Sequence, residues 1–173
     1  MNKTFLLVMA VLVIIVVAFY AYLGGFSSAD VTTATSQPLY VAGQPVKAHI
    51  KDEQLGKAFQ RASEVLEKNE LEGVLGNIYY NNPEKGKDSV KAFIGVVVPD
   101  TTVNLPAGFE LRKVPGGRKV VRAEVDAHYM LSPNKLYAAV FEYAEEQNLK
   151  LEEFYVEWFP EDHKGVVEVP VIP

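Results

Sequence analysis

Two amphipathic segments of similar length each lie within the same order of strand-like segments. Apolar residues recur every three or four positions from Glu53 to Asn69 and again from Ser132 to Asn148. This spacing predicts two amphipathic helices, each with one apolar face. Asp52 is placed to cap the first helix. We predict Ser132 as the N-cap of the second, with Pro133 at its first helical position.

Segments rich in β-branched and aromatic residues precede and follow each predicted helix, as is typical of strands. They are Leu39 to Ile50, Val74 to Tyr80 and Val90 to Val98 in the first half, and Glu110 to Val125 (interrupted by the turn at Pro115 to Gly117), Phe154 to Phe159 and Val166 to Ile172 in the second. NIYYNNP (Asn77 to Pro83) and YVEWFP (Tyr155 to Pro160) occupy matching places. The sequence therefore predicts an α+β fold of tandem strand–helix–strand–strand repeats, with a pseudo-twofold axis and a cleft between the repeats.

The chain begins with an apolar run. Phe5 to Leu23 holds 19 consecutive apolar residues, which as a helix span roughly 28 Å, close to the thickness of a hydrocarbon core. We predict an uncleaved transmembrane anchor at 5–23, and a cleaved signal peptide is the alternative. The amino terminus and Lys3 are positive and the next charge is Asp30, so residues 1–4 are predicted to stay in the cytoplasm. The polar residues 24–37 are predicted as a linker and 38–173 as an exported domain, periplasmic in a bacterium.

Composition excludes several classes of function. Beyond the anchor the chain has 16 basic and 22 acidic side chains with no basic run, so we expect no nucleic-acid partner. The absence of cysteine excludes disulfides and thiolate chemistry. The three histidines have no ligand-like spacing, and the chain lacks a glycine-rich phosphate loop and a nucleophile-elbow serine. We predict no metal, no cofactor and no catalytic residue.

Candidate site residues follow from the alternation of side chains along strands. The pattern places one polar set after each predicted helix: Asn77, Tyr79 and Asn81 in the first half, and Glu153, Tyr155 and Glu157 in the second. The opposite side of the second strand carries Phe154, Val156 and Trp158, which are predicted to pack under a helix.

We predict that the two polar sets meet across the pseudo-axis as a tyrosine-lined pocket with an acidic floor, and that His128 and Tyr129 reach it. Aromatic faces and a partly desolvated carboxylate both attract cations, so an amphipathic or cationic organic ligand is expected. The alternative is a solvated strand face whose charges have no ligand.

At the level of motifs the chain resembles the GyrI-like small-molecule-binding superfamily, whose domain also occurs in AraC-type and MerR-type transcription regulators. The carriers lie between Leu39 and Pro173: YVAGQPVKAHI, NIYYNNP with SVKAFIGVVVP, FELRKVPGGRKVVRAEVDAH, and EEFYVEWFPED with VVEVPVIP. The resemblance implies two repeats with a ligand cleft, in which a glutamate of a Glu-x-Tyr pattern meets cationic ligands. Glu153 and Tyr155 fit that pattern, and Glu157 lies one step further on. The histidine-x-glycine turn that the family often has is absent, since AHIKDEQ and AHYMLSPN lack the glycine.

Three functions remain open on the sequence alone. The first is a membrane-tethered, non-catalytic module that binds a small amphipathic or cationic molecule between the repeats. The second, which the resemblance also implies because some relatives hydrolyse strained cyclopropane compounds, is a hydrolase that uses Glu153 or Glu157 as a base. The third is a protein-interaction module with a closed cleft, as in membrane-anchored relatives.

Overall fold

The computed structural model describes residues 2–49, 52–82, 89–161 and 163–173. The helices are α1 Lys3–Tyr22, α2 Glu53–Glu67 and α3 Ser132–Glu146. The strands are β1 Asp30–Thr35, β2 Leu39–Ala48, β3 Val74–Tyr79, β4 Val90–Val98, β5 Glu110–Val114, β6 Lys119–Val125, β7 Tyr155–Glu161 and β8 Lys164–Pro170. In the described residues these strands form one antiparallel sheet, so the α+β prediction is confirmed. Ile50 and Pro83, which end predicted segments, lie outside the described residues.

The sheet order β1-β6-β8-β7-β3-β4-β2-β5 is symmetric about its centre. β3 and β7, the strands that follow the two helices, pair at the middle. Each half is completed by a strand from the other end of the chain: β1 pairs with β6, and β5 pairs with β2. The internal repeat is therefore strand–strand–helix–strand–strand, with its first strand exchanged between halves.

β1 corrects the predicted linker at 24–37, because Asp30–Thr35 belongs to the folded domain. All six of its residues pair with β6, from Asp30 opposite Glu124 to Thr35 opposite Lys119. The pairing supplies hydrogen-bond partners that the backbone of a free linker takes from water. Three of its six residues are threonines, which favour the extended backbone, and Val31 packs against the main core. Polarity alone had suggested a flexible tether.

The sheet is strongly curled. In the sheet order β1 and β2 are separated by six strand spacings, about 29 Å in a flat sheet. Only residues 36–38 connect them, and the four steps from Thr35 to Leu39 span at most about 14 Å. The curl is fastened where Ser36 N donates to Arg118 O and Gly117 N donates to Ser36 O, both at 2.8 Å.

A row of glycines makes close strand approach possible. Gly43 and Gly76 both pair with Gly95, so the row crosses β2, β4 and β3. A Cβ on Gly95 would lie 2.0 Å from Ala42 O, and one on Gly43 would lie 2.3 Å from Ile94 O. Any side chain at either position would collide with rigid backbone, so these glycines are required by the curl.

The helix termini differ in how well the sequence anticipated them. Asp52 caps α2 as predicted, since its carboxylate accepts from Gln54 N at 2.9 Å. The prediction for α3 is wrong by one residue, because the N-cap is Leu131 and Ser132 is already helical. Ser132 is fully buried, and its hydroxyl donates to Ala127 O at 2.7 Å. The Ser132 hydroxyl therefore binds the preceding loop and does not cap the helix.

Both α2 and α3 pack on one face of the sheet, and the other face, here called the helix-free face, carries no helix among the described residues. A third correction concerns β7. Phe154, Val156 and Trp158 lie on the helix-free face with Ile78 and Phe93, whereas Tyr155 lies in the core under the helices. The curl encloses the helix-free face, so apolar side chains there are buried without a helix above them.

α1 is exposed along its length. It is long and apolar enough to cross a membrane by length and composition, a test that an N-terminal signal sequence also passes. The helix spans Lys3–Tyr22, and Leu23, the last residue of the apolar run, is its C-cap.

Candidate ligand-binding site

A cavity of about 550 Å³ opens between the two helices that pack on the sheet. α2 lies over β2, β3 and β4, and α3 lies over β1, β6 and β8, so the central pair β3–β7 is left partly uncovered. The lining comes from both repeats. It comprises Phe59, Gln60 and Ser63 of α2, Leu75, Asn77, Tyr79, Glu157 and Phe159 of the sheet, and Tyr129, Pro133, Asn134 and Tyr137 of α3 and its preceding loop.

Glu157 forms the floor of the cavity. It lies opposite Asn77 in the β3–β7 register and is 2% exposed. Its Oε1 accepts from Asn77 Nδ2 at 2.9 Å and from Tyr79 OH at 3.2 Å, and its Oε2 accepts from Tyr137 OH at 3.2 Å. Donors from β3 and α3 therefore hold one carboxylate of β7 in a fixed orientation.

The electrostatics of the floor are unusual. Burial raises the pKa of Glu157 above its ordinary value, and its three hydrogen bonds offset only part of the rise. Burial, with Glu157 beside them, also raises the pKa of Tyr79 and Tyr137 well above the usual range. No described Lys or Arg forms an ion pair with Glu157. The carboxylate is therefore hydrogen-bonded, yet no described cation neutralises it.

The structure brings together three of the predicted site residues: Asn77, Tyr79 and Glu157 all line the cavity. Tyr155 is buried on the same face, but it packs against Tyr137 and Phe141 behind the cavity wall and burial raises its pKa. Asn81 instead accepts from Lys91 N and donates to Ser89 O near the end of β3.

Glu153 and His128 are not among the residues that line the cavity. β7 begins at Tyr155, so strand alternation does not extend to Glu153, which is exposed. The alternation that paired Glu153 with Glu157 therefore does not reach Glu153, and this carboxylate lies outside the cavity. His128 stacks on Tyr129 with ring centroids 4.2 Å apart, and Tyr129 is the member of this pair that lines the cavity.

Sequence reasoning missed several lining residues. Phe159 follows Glu157 by two positions and was available from the same alternation. Tyr137 follows Pro133 and precedes Phe141 by one helical turn each, so the spacing carried a signal for a second face of α3. Phe59 of α2 is partly buried and packs against the core as well as lining the cavity. A side chain at the edge of a core pattern also borders any gap beside it.

The fold and site place the chain among known proteins. A model of the GyrI-like small molecule binding domain matches residues 30–169, and the chain therefore belongs to the GyrI-like family. The match begins at β1, in agreement with the corrected domain boundary. No curated protein sequence matches the chain.

Solved structures show the same fold. An integron cassette protein from the mobile metagenome of Vibrio cholerae has a TM-score of 0.65 at 15% identity, with 84% of this chain and 99% of that one covered. SAV2435 bound to tetraphenylphosphonium has a TM-score of 0.58 at 10% identity, covering 83% and 94%. EcmrR in a DNA complex has a TM-score of 0.55 at 14% identity, covering 84% of this chain and 57% of that chain.

Proposed function

We propose that this domain binds a small amphipathic organic cation in the cavity between α2 and α3, with Glu157 as the counter-ion, and that α1 tethers it to a membrane. The single observation that carries the proposal is the buried carboxylate of Glu157, which has three neutral donors and no paired cation among the described residues. Asn77 and Tyr79 are proposed as ligand-binding residues because they orient that carboxylate.

The electrostatic argument rests on the cost of burying charge. An ionised carboxylate without a cation costs several kcal/mol in a protein interior, even after relaxation. Hydrogen bonds recover part of this, and the raised pKa of Glu157 marks the part that remains. A guest that carries positive charge would remove the remainder, so the site favours a cation over a neutral molecule of equal size.

The shape and lining of the cavity support the same class of guest. About 550 Å³ is within the usual range for small-molecule sites. Phe59, Tyr129 and Phe159 present rings, which suit apolar groups and also attract cations through their faces. SAV2435, which shares the fold, is bound to tetraphenylphosphonium, a cation whose phosphorus carries four phenyl rings. That ion is therefore a sensible first probe for this protein.

The tether rests on α1. Its 20 residues reach about 30 Å, the thickness of a hydrocarbon core. Tyr20 and Tyr22 lie at its end, where amphipathic rings suit the membrane interface. Lys3 on the amino-terminal side favours a cytoplasmic amino terminus and an exported domain.

Calorimetric titration of the full chain in detergent with tetraphenylphosphonium tests the proposal. We expect saturable binding, and we expect Glu157→Gln to weaken it by about 30-fold or more, because losing a buried charge partner costs about 2 kcal/mol or more. Glu153→Gln is the matched control, since that carboxylate is exposed and outside the cavity. Absence of binding, or equal affinity in both variants, would contradict the proposal.

A hydrolase remains the second candidate, and one observation favours it. The raised pKa of Glu157 brings this carboxyl toward the range of a general base at neutral pH. Trp158 lies on the helix-free face and is not among the residues that line the cavity, so it would not contact a substrate there. Turnover of a strained cyclopropane ester that disappears in Glu157→Gln would support catalysis. Turnover that survives the substitution would exclude it for this residue.

The third candidate, an interaction module, predicted a closed cleft. The cavity between the repeats is open, so a closed cleft does not support an interaction module here.

A further inference from the structure

The end of α1 is fastened to the segment that forms one wall of the cavity. His128 N donates to Leu23 O at 3.0 Å. Lys135 Nζ, on the first turn of α3, donates to Gly25 O at 2.8 Å and to Ser27 O at 2.6 Å. Gly24 has a φ of +75°, and a Cβ there would lie 2.4 Å from Asp126 O. The end of α1 is therefore held against the loop before α3 by these hydrogen bonds and by the close backbone approach at Gly24.

A series of ring contacts leads from α1 to the cavity. Tyr22 contacts His163 with ring centroids 5.2 Å apart, and His163 contacts His128 at 5.6 Å. His128 contacts Tyr129 at 4.2 Å, and Tyr129 contacts Phe159 at 6.3 Å. The last two residues line the cavity, so one wall of the binding site lies beside the end of the apolar helix.

Exposed apolar side chains cluster at this place. Beyond Gly24, the described residues expose six large apolar side chains, and three of them are Phe26, Tyr129 and Met130, here called the rim. Phe26 is 70% exposed and Met130 is 72% exposed. Phe26 lies between Gly25 and Ser27, whose carbonyls accept from Lys135, and Tyr129 and Met130 follow His128, so the three lie on segments that hydrogen bonds join. Large apolar side chains exposed on adjoining segments indicate an interaction surface.

We propose that the rim lies in the interfacial layer of the bilayer that α1 crosses, and that the cavity takes its amphipathic ligand from that layer. This inference rests on the proposed function, both for the tether and for the ligand class. It adds a location for the entrance and a lipid surface as the partner of the rim.

Chain geometry argues for lipid as the partner. The Cα of Met130 is within roughly 7 Å of the Cα of His128, two residues away, and His128 N is bonded to Leu23 O. The headgroup layer on each side of a bilayer is about 5 to 8 Å thick. If α1 spans the hydrocarbon core, the loop that carries Tyr129 and Met130 therefore begins within one headgroup layer of it. Amphipathic cations concentrate in that same layer, because their apolar groups leave water while their charge stays hydrated.

Site-directed fluorescence tests the lipid contact, because the chain has no cysteine and accepts a single labelling site. We would label Met130→Cys with a small environment-sensitive dye in the full chain, reconstituted in phosphatidylcholine vesicles. Glu146→Cys is the control, since it is exposed and lies at the opposite end of α3, about 20 Å along the helix. A lipid with a nitroxide near its headgroup should quench the label at 130 several-fold more strongly. Equal quenching at both positions would overturn the proposal.

Loading from lipid tests the functional half of the inference. Met130 does not line the cavity and is highly exposed, so Met130→Glu should leave folding and affinity in detergent unchanged. Tetraphenylphosphonium preloaded into vesicles should reach this variant roughly threefold or more slowly than it reaches the unmodified protein, because the charge withdraws the rim from the interface. Equal loading rates would overturn uptake from lipid. If the unmodified protein binds no tetraphenylphosphonium even in detergent, the proposed function fails, and the quenching result alone decides where the rim lies.

Discussion

Glu157 and Glu168 are both buried glutamates near the middle of the sheet, but they lie on opposite faces. Glu168, on β8, is 5% exposed and sits 3.4 Å from Arg122 Nη1 on the helix-free face. Glu157 is 2% exposed and meets only neutral donors of the described chain. Burial raises the pKa of both carboxyls, yet an arginine opposes the rise only at Glu168. Glu168 therefore shares an arginine with Glu124, whereas no described Lys or Arg forms an ion pair with Glu157.

The same contrast holds across the two faces. On the helix-free face the arginines already lie over rings: Arg112 is 4.1 Å from the centroid of Phe93, and Arg122 is 5.5 Å from that of Trp158. On the helix-bearing face the cavity has rings and a carboxylate, and no Lys or Arg is among the described residues that line it. A bound cation would give the cavity the pairing that arginine provides on the other side of the sheet.

Arg122→Met gives the largest expected effect on this contrast. Loss of the arginine leaves Glu168 without its cation, and we expect the free energy of unfolding to fall by about 1 to 3 kcal/mol. Denaturation in urea measures it. Arg112→Met is the control, because that arginine has similar exposure but its ion-pair partner, Glu110, is 61% exposed. The contrast fails if both variants lose the same stability.

Adjacent residues of β7 provide the next test, because they point to opposite faces. Phe159 lines the cavity, whereas Trp158 packs on the helix-free face. Phe159→Ala should lower the affinity for tetraphenylphosphonium about tenfold, since it removes apolar contact worth about 1.4 kcal/mol. Trp158→Phe should leave the affinity within about twofold. A larger loss of affinity in Trp158→Phe than in Phe159→Ala would mean that the ligand binds on the helix-free face, which would contradict the proposal.

Periodicity in the sequence was sufficient for the repeats, the helices and the central strands, because apolar spacing reports local structure directly. It was not sufficient for β1, whose threonine-rich sequence has little apolar alternation and which is held by its pairing with β6. Partners so distant in sequence leave no local pattern. The exchange of β1 and β5 between halves was missed for the same reason.

The site was predictable in part. Alternation placed Asn77, Tyr79 and Glu157 on one face, and the β3–β7 register brings them together. The same reasoning failed for Glu153, because alternation holds only within a strand and β7 begins two residues later. Which side of β7 faces the helices was also assigned wrongly. Both faces of β7 carry apolar or aromatic side chains, so the sequence does not indicate which face lies under the helices. The curl of the sheet explains how Trp158 is partly buried on a face that carries no described helix.

The smallest expected effect concerns pH and separates the two glutamates once more. Because the pKa of folded Glu157 lies above its ordinary value of 4.5, the folded state holds its proton more tightly than the unfolded chain does. This contribution to stability is present at low pH and is lost as pH rises through the raised pKa. Relative to Glu157→Gln, the unmodified protein should therefore lose stability as pH increases above about 4.5, the ordinary pKa. Thermal unfolding of both proteins across pH measures this difference, and subtraction removes the other carboxyls. Saturating tetraphenylphosphonium should reverse its sign, because a cation in the cavity stabilises the charged form, and an unchanged difference would mean that the ligand does not meet Glu157.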